Sequence, residues 1–202
     1  MSATALVADI GGTNARFAMV DLDDMAVPRF ETYPCSKFRS LAEAATVFVR
    51  ETGAKPATAA FGIAGPVTGH RGIITNLSWT MTTDELAAAT GAKSVLLVND
   101  FEALALSVPL MTAADLHRLG GGDAVERATK GVVGPGTGLG VGGLVWSASR
   151  WMPIPGEGGH TSFAAESVEE MELLSTVSRQ FDHFSNERVV SGPGLVNLYI
   201  CF

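Results

Sequence analysis

The sequence predicts an α/β chain, a mixed sheet with helices on its faces followed by a second block that opens in the same way. Three observations carry this prediction. The N-terminus reads as strand, turn, strand; capped helical stretches then alternate with short buried apolar runs as far as Ser107; and a second strand–turn–strand, rich in glycine, returns near residue 131. Strands that alternate with helices fold as layers, with the helices covering the sheet.

In chain order, Ala5 to Ala8 is a short apolar run, Gly11-Gly12-Thr13-Asn14 is turn chemistry, and Arg16 to Val20 is apolar again. A third short strand is expected over Phe30 to Tyr33. Ser40 with Glu43 forms a capping box, and Leu41, Ala44, Ala45, Phe48 and Val49 follow at helical spacing until Gly53. Ala57 to Ala64 reads as a buried strand ending at Gly65-Pro66. Thr82 with Glu85 opens a second helix, closed by Gly91. Ser94 to Val98 is another buried strand, and Phe101 to Ser107 is helical up to Pro109.

In the second block, Thr112 and Asp115 are expected to cap a short helix ended by Gly120 to Gly122. Gly131 to Val133, the loop Gly134 to Gly138 and Leu139 to Trp146 repeat the N-terminal arrangement in type: apolar strand, glycines around a threonine, apolar strand. Pro155 to His160 lies in no strand or helix. Ser167 with Glu170 caps a helix through Leu173, Leu174 and Val177 to about Phe181. Ser191-Gly192-Pro193-Gly194 starts a last helix, which meets the end of the chain after eight largely apolar residues with no stop signal. That end is read as a cut.

Composition removes several classes of function. The 202 residues carry 14 Lys+Arg against 21 Asp+Glu, a net charge of −7, with no basic cluster to neutralise phosphates of nucleic acid or anionic lipid. With 47% hydrophobic and 17% charged residues the chain is not disordered. Two cysteines, Cys35 and Cys201, provide neither a disulfide scaffold nor a cysteine zinc cluster, and they fit a reducing cytoplasm. No apolar run approaches the ~18 residues of a membrane span. No basic segment precedes the first apolar stretch, which Asp9 interrupts, so no signal peptide is expected.

The 23 glycines cluster where chemistry is expected. Asp9 to Asn14 (DIGGTN) places a carboxylate at a strand end, then two glycines and a hydroxyl in a tight turn. Its amides and the Thr13 hydroxyl can converge on phosphate oxygens, and Asp9 can hold Mg²⁺ through water; an ordinary hairpin containing an Asp is the plain alternative. A second such loop, Gly134 to Gly140 (GPGTGLG), strengthens the phosphate reading, since two glycine–threonine hairpins can clamp a polyphosphate. Gly138 to Gly143 also matches G-x-G-x-x-G, but a strand follows where the dinucleotide fingerprint needs a helix. A Walker A sequence is absent, because no glycine precedes Lys-Ser or Lys-Thr. A nicotinamide oxidoreductase is therefore set aside.

Asn99-Asp100 stands where a buried strand gives way to a helix. An Asp at the carboxyl end of a strand is placed to accept a proton from a substrate hydroxyl, while the simpler reading is a helix cap. Glu157 and His160, three apart among glycines, suit the hydroxyls of a polyol; a metal is the alternative. Glu187 reads as surface charge, and His70, His117 and His183 have no partner in sequence.

LVADIGGTNARFA, TNLSW, VNDFEALA, GPGTGLGV, PGEGGHTSF and ERVVSGPGLVNLY, in this order from Leu6 to Tyr199, resemble the bacterial glucokinases, hexose kinases of the actin-like ATPase (ribonuclease H-like) fold. The resemblance implies a small N-terminal domain, residues 1–109, with the first phosphate loop and a catalytic Asp. Residues 110–202 would be the first part of a larger α/β domain, with the second phosphate loop and a sugar-binding loop. The two domains would close over sugar and ATP. By the same resemblance Asp100 is the base for the sugar 6-hydroxyl, and Asn99, Asp100, Glu157, His160 and Glu187 hold glucose. Asp9, Ile10, Gly11, Gly12, Thr13 and Asn14, with Gly136, Thr137 and Gly138, hold the phosphates of ATP with its Mg²⁺.

No direct metal ligand is implied, and the related repressor and sugar-kinase family's cysteine-rich zinc motif has no counterpart here. A cytoplasmic enzyme of glycolysis, homodimeric at full length, is the expected setting, with neither nucleic acid nor membrane as partner. Donors other than ATP, such as ADP or polyphosphate, and the choice among hexoses stay open. Glucokinases continue well past GPGLVNLY with helices and an adenosine wall. The chain as given is therefore expected to have near-background kinase activity and to self-associate through an exposed tail, Leu195, Val196, Leu198, Tyr199, Ile200 and Phe202. The alternative is a non-catalytic sugar-binding or regulatory remnant.

Overall fold

The apolar runs flanking Gly11-Gly12 pair as an antiparallel hairpin in the computed structural model, which describes residues 4–201. β1 (Thr4–Ile10) and β2 (Asn14–Asp21) lie in a register that sets Asp9 opposite Arg16. β3 (Arg29–Pro34) follows antiparallel to β2. α1 (Leu41–Thr52) starts at Ser40, whose hydroxyl accepts the Glu43 amide (3.2 Å). The reciprocal half of the expected capping box is displaced by one residue, because the Glu43 carboxylate accepts from the Arg39 amide (2.7 Å). Gly53 ends the helix in the left-handed region at φ 66°, which an L side chain would resist.

β4 (Thr58–Ile63) runs parallel to β1. Three short strands then form a separate antiparallel sheet: β5 (Val67–Thr68), β6 (Arg71–Ile74) and β7 (Trp79–Thr82). Sequence periodicity did not predict them, since runs of two to four residues carry no readable alternation. α2 (Thr83–Thr90) has both halves of its capping box, with the Thr82 amide donating to Glu85 (2.8 Å) and the Glu85 amide to Thr82 (3.3 Å). β8 (Ser94–Asn99) lies parallel to β4 and leads into α3 (Asp100–Ser107). The main sheet has the order β3-β2-β1-β4-β8. α1 buries Leu41, Ala44, Ala45 and Phe48 against it, with the Phe48 ring stacked on Phe17 at 5.3 Å and 19°.

Two compact units divide at Ala103 and Leu104, inside α3; the sequence reading set its boundary between residues 109 and 110. In the second unit the helix expected after Thr112 is absent. Its capping pair does form, with both the amide and the hydroxyl of Thr112 donating to Asp115 (2.8 Å each). The residues that follow have nothing to bury against: Leu116 and Leu119 are 58% and 94% exposed. One turn of helix without a buried face does not repay its nucleation.

β9 (Lys130–Pro135), β10 (Leu139–Ser147) and β11 (Arg150–Ile154) form a three-stranded antiparallel meander. β11 was not expected. Its turn, Ala148-Ser149, places both residues at positive φ (49° and 62°), where Asn-Gly is the usual signal. Gly158–His160, expected to lie outside any element, is one turn of 3-10 helix. Within it Gly159 lies so close to the Leu139 carbonyl that a Cβ would overlap it. α4 (Val168–Val177) has the predicted Ser167–Glu170 capping box and continues as a 3-10 turn, Ser178–Gln180.

α5 (Gly192–Cys201) completes the described chain. Leu173, Val177 and Phe184 make a small core with Phe163, Phe181, Val189 and Leu198 around it. Leu198 therefore departs from the exposed tail expected of it, whereas Leu195, Val196, Tyr199 and Ile200 are exposed; Phe202 lies outside the described residues. Among the described residues no helix is long and apolar enough to cross a membrane.

The glycines of the 156–159 loop separate packing from mere flexibility. Gly159→Ala should cost about 1–3 kcal/mol of stability by overpacking against the Leu139 backbone. Gly156→Ala, with nothing within 4 Å of its Cβ, should stay within about 0.5 kcal/mol of the parent. Urea denaturation of both variants measures the difference, and equal costs would remove the packing argument.

Candidate active site

In the first unit the candidate residues gather at one edge of the main sheet. β1, β4 and β8 run parallel with Ile10 level with Ile63, and Ile63 level with Asn99, so the β1–β2 turn and the start of α3 leave the sheet at the same end. Ligands of open α/β sheets collect at this carboxyl end. The Gly11 amide donates to the Asn14 carbonyl (3.0 Å) and closes the turn. The residue that follows β3 supports it: the Cys35 amide donates to the Thr13 carbonyl (2.8 Å) and the buried Cys35 thiol to the Gly11 carbonyl (3.5 Å). Gly12 and Thr13 are exposed, and their amides make no hydrogen bond among the described residues. Two adjacent free donors with no side chain at Gly12 are the kind of backbone donors that can accept an anion.

Asp9 is paired with Arg16 across the hairpin (2.8 Å), an exposed ion pair between residues that the register sets opposite each other. Arg16 was not among the sequence candidates, although counting the hairpin outward from its turn sets it opposite Asp9.

Asn99 and Asp100 both accept the Phe101 amide at the start of α3 (2.9 Å each), and they differ in their other contacts. Asn99 caps α3: its Oδ1 accepts the amides of Phe101 (2.9 Å) and Glu102 (3.4 Å), while its Nδ2 donates to the Gly65 carbonyl (3.2 Å). Asp100 is the first residue of the helix and half-buried. Burial pushes its carboxyl pKa up from the ordinary value, the Phe101 amide opposes that shift, and the negative charge of Asp9 adds to it. A carboxylate that holds a proton more tightly than usual is a better base.

In the second unit three separate stretches meet. The Gly158–His160 turn packs on β10 through Gly158 against Val141 and Gly159 against Leu139. Glu157 and His160 face each other at 3.8 Å, both exposed. Residues 186–192 close over the hairpin between β9 and β10. The Leu139 amide donates to Glu187 Oε2 (3.0 Å), and the Gly192 amide donates to the Gly136 carbonyl (2.8 Å). Glu187, read from sequence as plain surface charge, is thus half-buried against the second glycine loop.

Thr161 and Asn186 were missed. The Asn186 side chain donates to the Thr161 hydroxyl (2.8 Å) and its amide to the Thr161 carbonyl (2.9 Å), joining the His160 turn to the Glu187 turn. No sequence spacing signals a contact 25 residues apart. His183, which has no partner in the sequence, is exposed and hydrogen-bonded to the Ser162 hydroxyl (3.0 Å). A cavity of about 420 Å³ lies beside His160, lined also by Phe181, His183 and Arg188. Among the described residues no group of three or more His, Cys, Asp or Glu side chains could hold a metal ion.

The sequence model of the glucokinase family matches residues 6–202. Glucokinase of Aromatoleum aromaticum is 43% identical over 196 residues, covering 96% of this chain and 59% of the relative. That of Tolumonas auensis is 39% identical over 199 residues, covering 98% and 62%. Among solved structures, glucokinase from an Antarctic psychrotroph superposes with a TM-score of 0.82 at 34% identity, over 100% of this chain and 64% of the other. Glucokinase of Balamuthia mandrillaris, solved in complex with glucose, gives 0.80 at 22% identity over 98% and 62%, which shows the shared fold. The chain spans about three fifths of the length of the curated relatives it matches. Its fold is the actin-like ATPase fold of the sugar kinases, and the chain belongs to the glucokinase family.

Proposed function

We propose that the chain carries the sugar- and phosphate-binding residues of an ATP-dependent glucokinase, which transfers the γ-phosphoryl group of ATP to the 6-hydroxyl of glucose. The observation that carries this reading is Asp100: a half-buried carboxylate of raised pKa at the carboxyl edge of parallel strands, on the same edge as a glycine turn whose Gly12 and Thr13 amides are unpaired among the described residues. Asp100 accepts the proton of the 6-hydroxyl, the freed oxygen attacks the γ-phosphorus, and ADP leaves with the bridging oxygen. Proton transfer by a positioned carboxylate and alignment of the hydroxyl are what such a group supplies. Asn99, already holding Gly65 and the start of α3, fixes the orientation of its neighbour and offers its remaining amide hydrogen to the sugar. Glu157, His160 and Glu187 bind the other hydroxyls of the pyranose.

The glycine turns at Gly11-Gly12-Thr13 and Gly136-Thr137-Gly138 receive donor phosphates on their amides and hydroxyls. Ile10, fully buried, and Asn14, whose carbonyl accepts the Gly11 amide, hold the first turn in shape. Mg²⁺ would enter on the donor phosphates, whose charge it neutralises when bound. The described residues form no cage for it, and Asp9, already paired with Arg16, fits a contact through water only.

Two substitutions test the assignment in a chain completed to the length of its relatives. Asp100→Asn should keep glucose binding within a few fold, since the amide preserves shape. It should lower kcat by about 10²–10⁴-fold in a coupled assay. Retention of more than a third of the turnover would reduce Asp100 to a structural residue.

Glu157→Gln and His160→Ala should leave kcat nearly unchanged and raise the Michaelis constant for glucose. Each unpaired polar partner should cost about 1–3 kcal/mol. If both variants kept the parent's glucose dependence, the loop would not belong to the sugar site.

A further inference from the structure

Glu187 stands on the wrong side of an electrostatic argument for a phosphate loop. The hairpin tip runs Gly136, Thr137, Gly138, Leu139. The Gly136 amide is spent on the Gly138 carbonyl (2.8 Å), while the amides of Thr137 and Gly138 and the Thr137 hydroxyl make no hydrogen bond among the described residues. The next amide, Leu139, donates to Glu187 Oε2 (3.0 Å), and the carboxylate lies over Gly138 so closely that a Cβ there would overlap it. A carboxylate oxygen is therefore seated on the same run of donors that a phosphate oxygen would use, and two anions cannot share it cheaply.

The backbone that carries this carboxylate is held from three sides. The Ser191 hydroxyl donates to the Glu187 carbonyl (2.7 Å), the Gly192 amide to the Gly136 carbonyl (2.8 Å) and the Asn186 amide to the Thr161 carbonyl (2.9 Å). The freedom left is that of the Glu187 side chain. Its alternative partner is on the same unit: the Thr161 contact ties its turn to the one bearing His160, where the proposed hexose hydroxyls lie.

We propose that Glu187 gates the second glycine hairpin. Its carboxylate occupies the anion seat on the Leu139 amide, phosphate enters only when that carboxylate turns away, and a hexose hydroxyl is the group that draws it off. Sugar binding thereby opens the seat for the donor phosphates. The last clause rests on the sugar assignment made above; the occupation of the seat does not.

Isothermal titration with inorganic tripolyphosphate, first without sugar, separates the two. The chain is compared with Glu187→Gln and Glu187→Ala, and with Glu172→Gln, which removes one exposed charge from α4 far along the sequence. Far-UV circular dichroism and melting confirm that each variant is folded. Both Glu187 variants should bind tripolyphosphate about 10-fold more tightly than the parent at low salt, and Glu172→Gln should not. Equal affinities across the four proteins, or no tripolyphosphate binding by either Glu187 variant, overturn the gate.

With glucose at saturation the parent should gain the same tightening and Glu187→Ala none. Glucose that binds the parent without tightening tripolyphosphate overturns the link to sugar. Failure of glucose to bind at all contradicts the proposed function, while the sugar-free comparison still decides the gate.

Discussion

Parallel pairing of β1 with β4 and of β4 with β8 is the constraint on which the first unit depends, because three strands that end level with one another deliver Asp9 and Asp100 to a single edge with one strand between them. The covering helix α1 and the Phe17–Phe48 stack hold this sheet from one face. The outward-leading turn at Gly11-Gly12 and the start of α3 then have no freedom to separate. Asp9 escapes the resulting repulsion through Arg16, at the exposed side of the hairpin. Asp100 is partly buried and has no cationic partner among the described residues, so its carboxyl pKa is raised from the ordinary value.

The second unit solves a different problem with the same residue type. Its candidate groups come from a hairpin, a 3-10 turn and a strap that are far apart in sequence, and close backbone approach brings them together. Gly159 against Leu139 and Gly158 against Val141 stand where a side chain would push the turn off the hairpin, and Gly138 leaves room for the Glu187 carboxylate. The glycine richness that the sequence offers as a mark of phosphate binding therefore serves close packing in this unit.

What was legible in the sequence was local. Capping pairs at Thr82–Glu85 and Ser167–Glu170, the glycine stops after Thr52 and Thr90, and both glycine hairpins were readable because each is decided within a few residues. The same local signal misled at Thr112–Asp115, where the cap formed and no buried face followed to extend a helix. Strands of two to four residues and the Ala148-Ser149 turn carried no recognisable pattern. Of the site, residue types and motifs were readable; the partnerships were not. Leu139 with Glu187 spans 48 positions and Asn99 with Gly65 spans 34, and only the folded chain sets such pairs at hydrogen-bond distance.

The measurement that tests the account most directly is the titration of the Asp100 carboxyl carbon by site-resolved ¹³C NMR, in the parent and in Asp9→Asn. In the parent an apparent pKa above the ordinary aspartate value of 3.8 is expected. Removal of the Asp9 charge should lower that pKa, and the remaining elevation is then the share due to burial. The sign follows from linkage: a folded-state pKa above the unfolded one means that ionised Asp100 opposes folding, so its cost appears as pH rises through that pKa and vanishes below the unfolded value. An Asp100 that titrates at or below 3.8, unmoved by Asp9→Asn, would contradict the claim that the parallel edge prepares this carboxylate to take a proton.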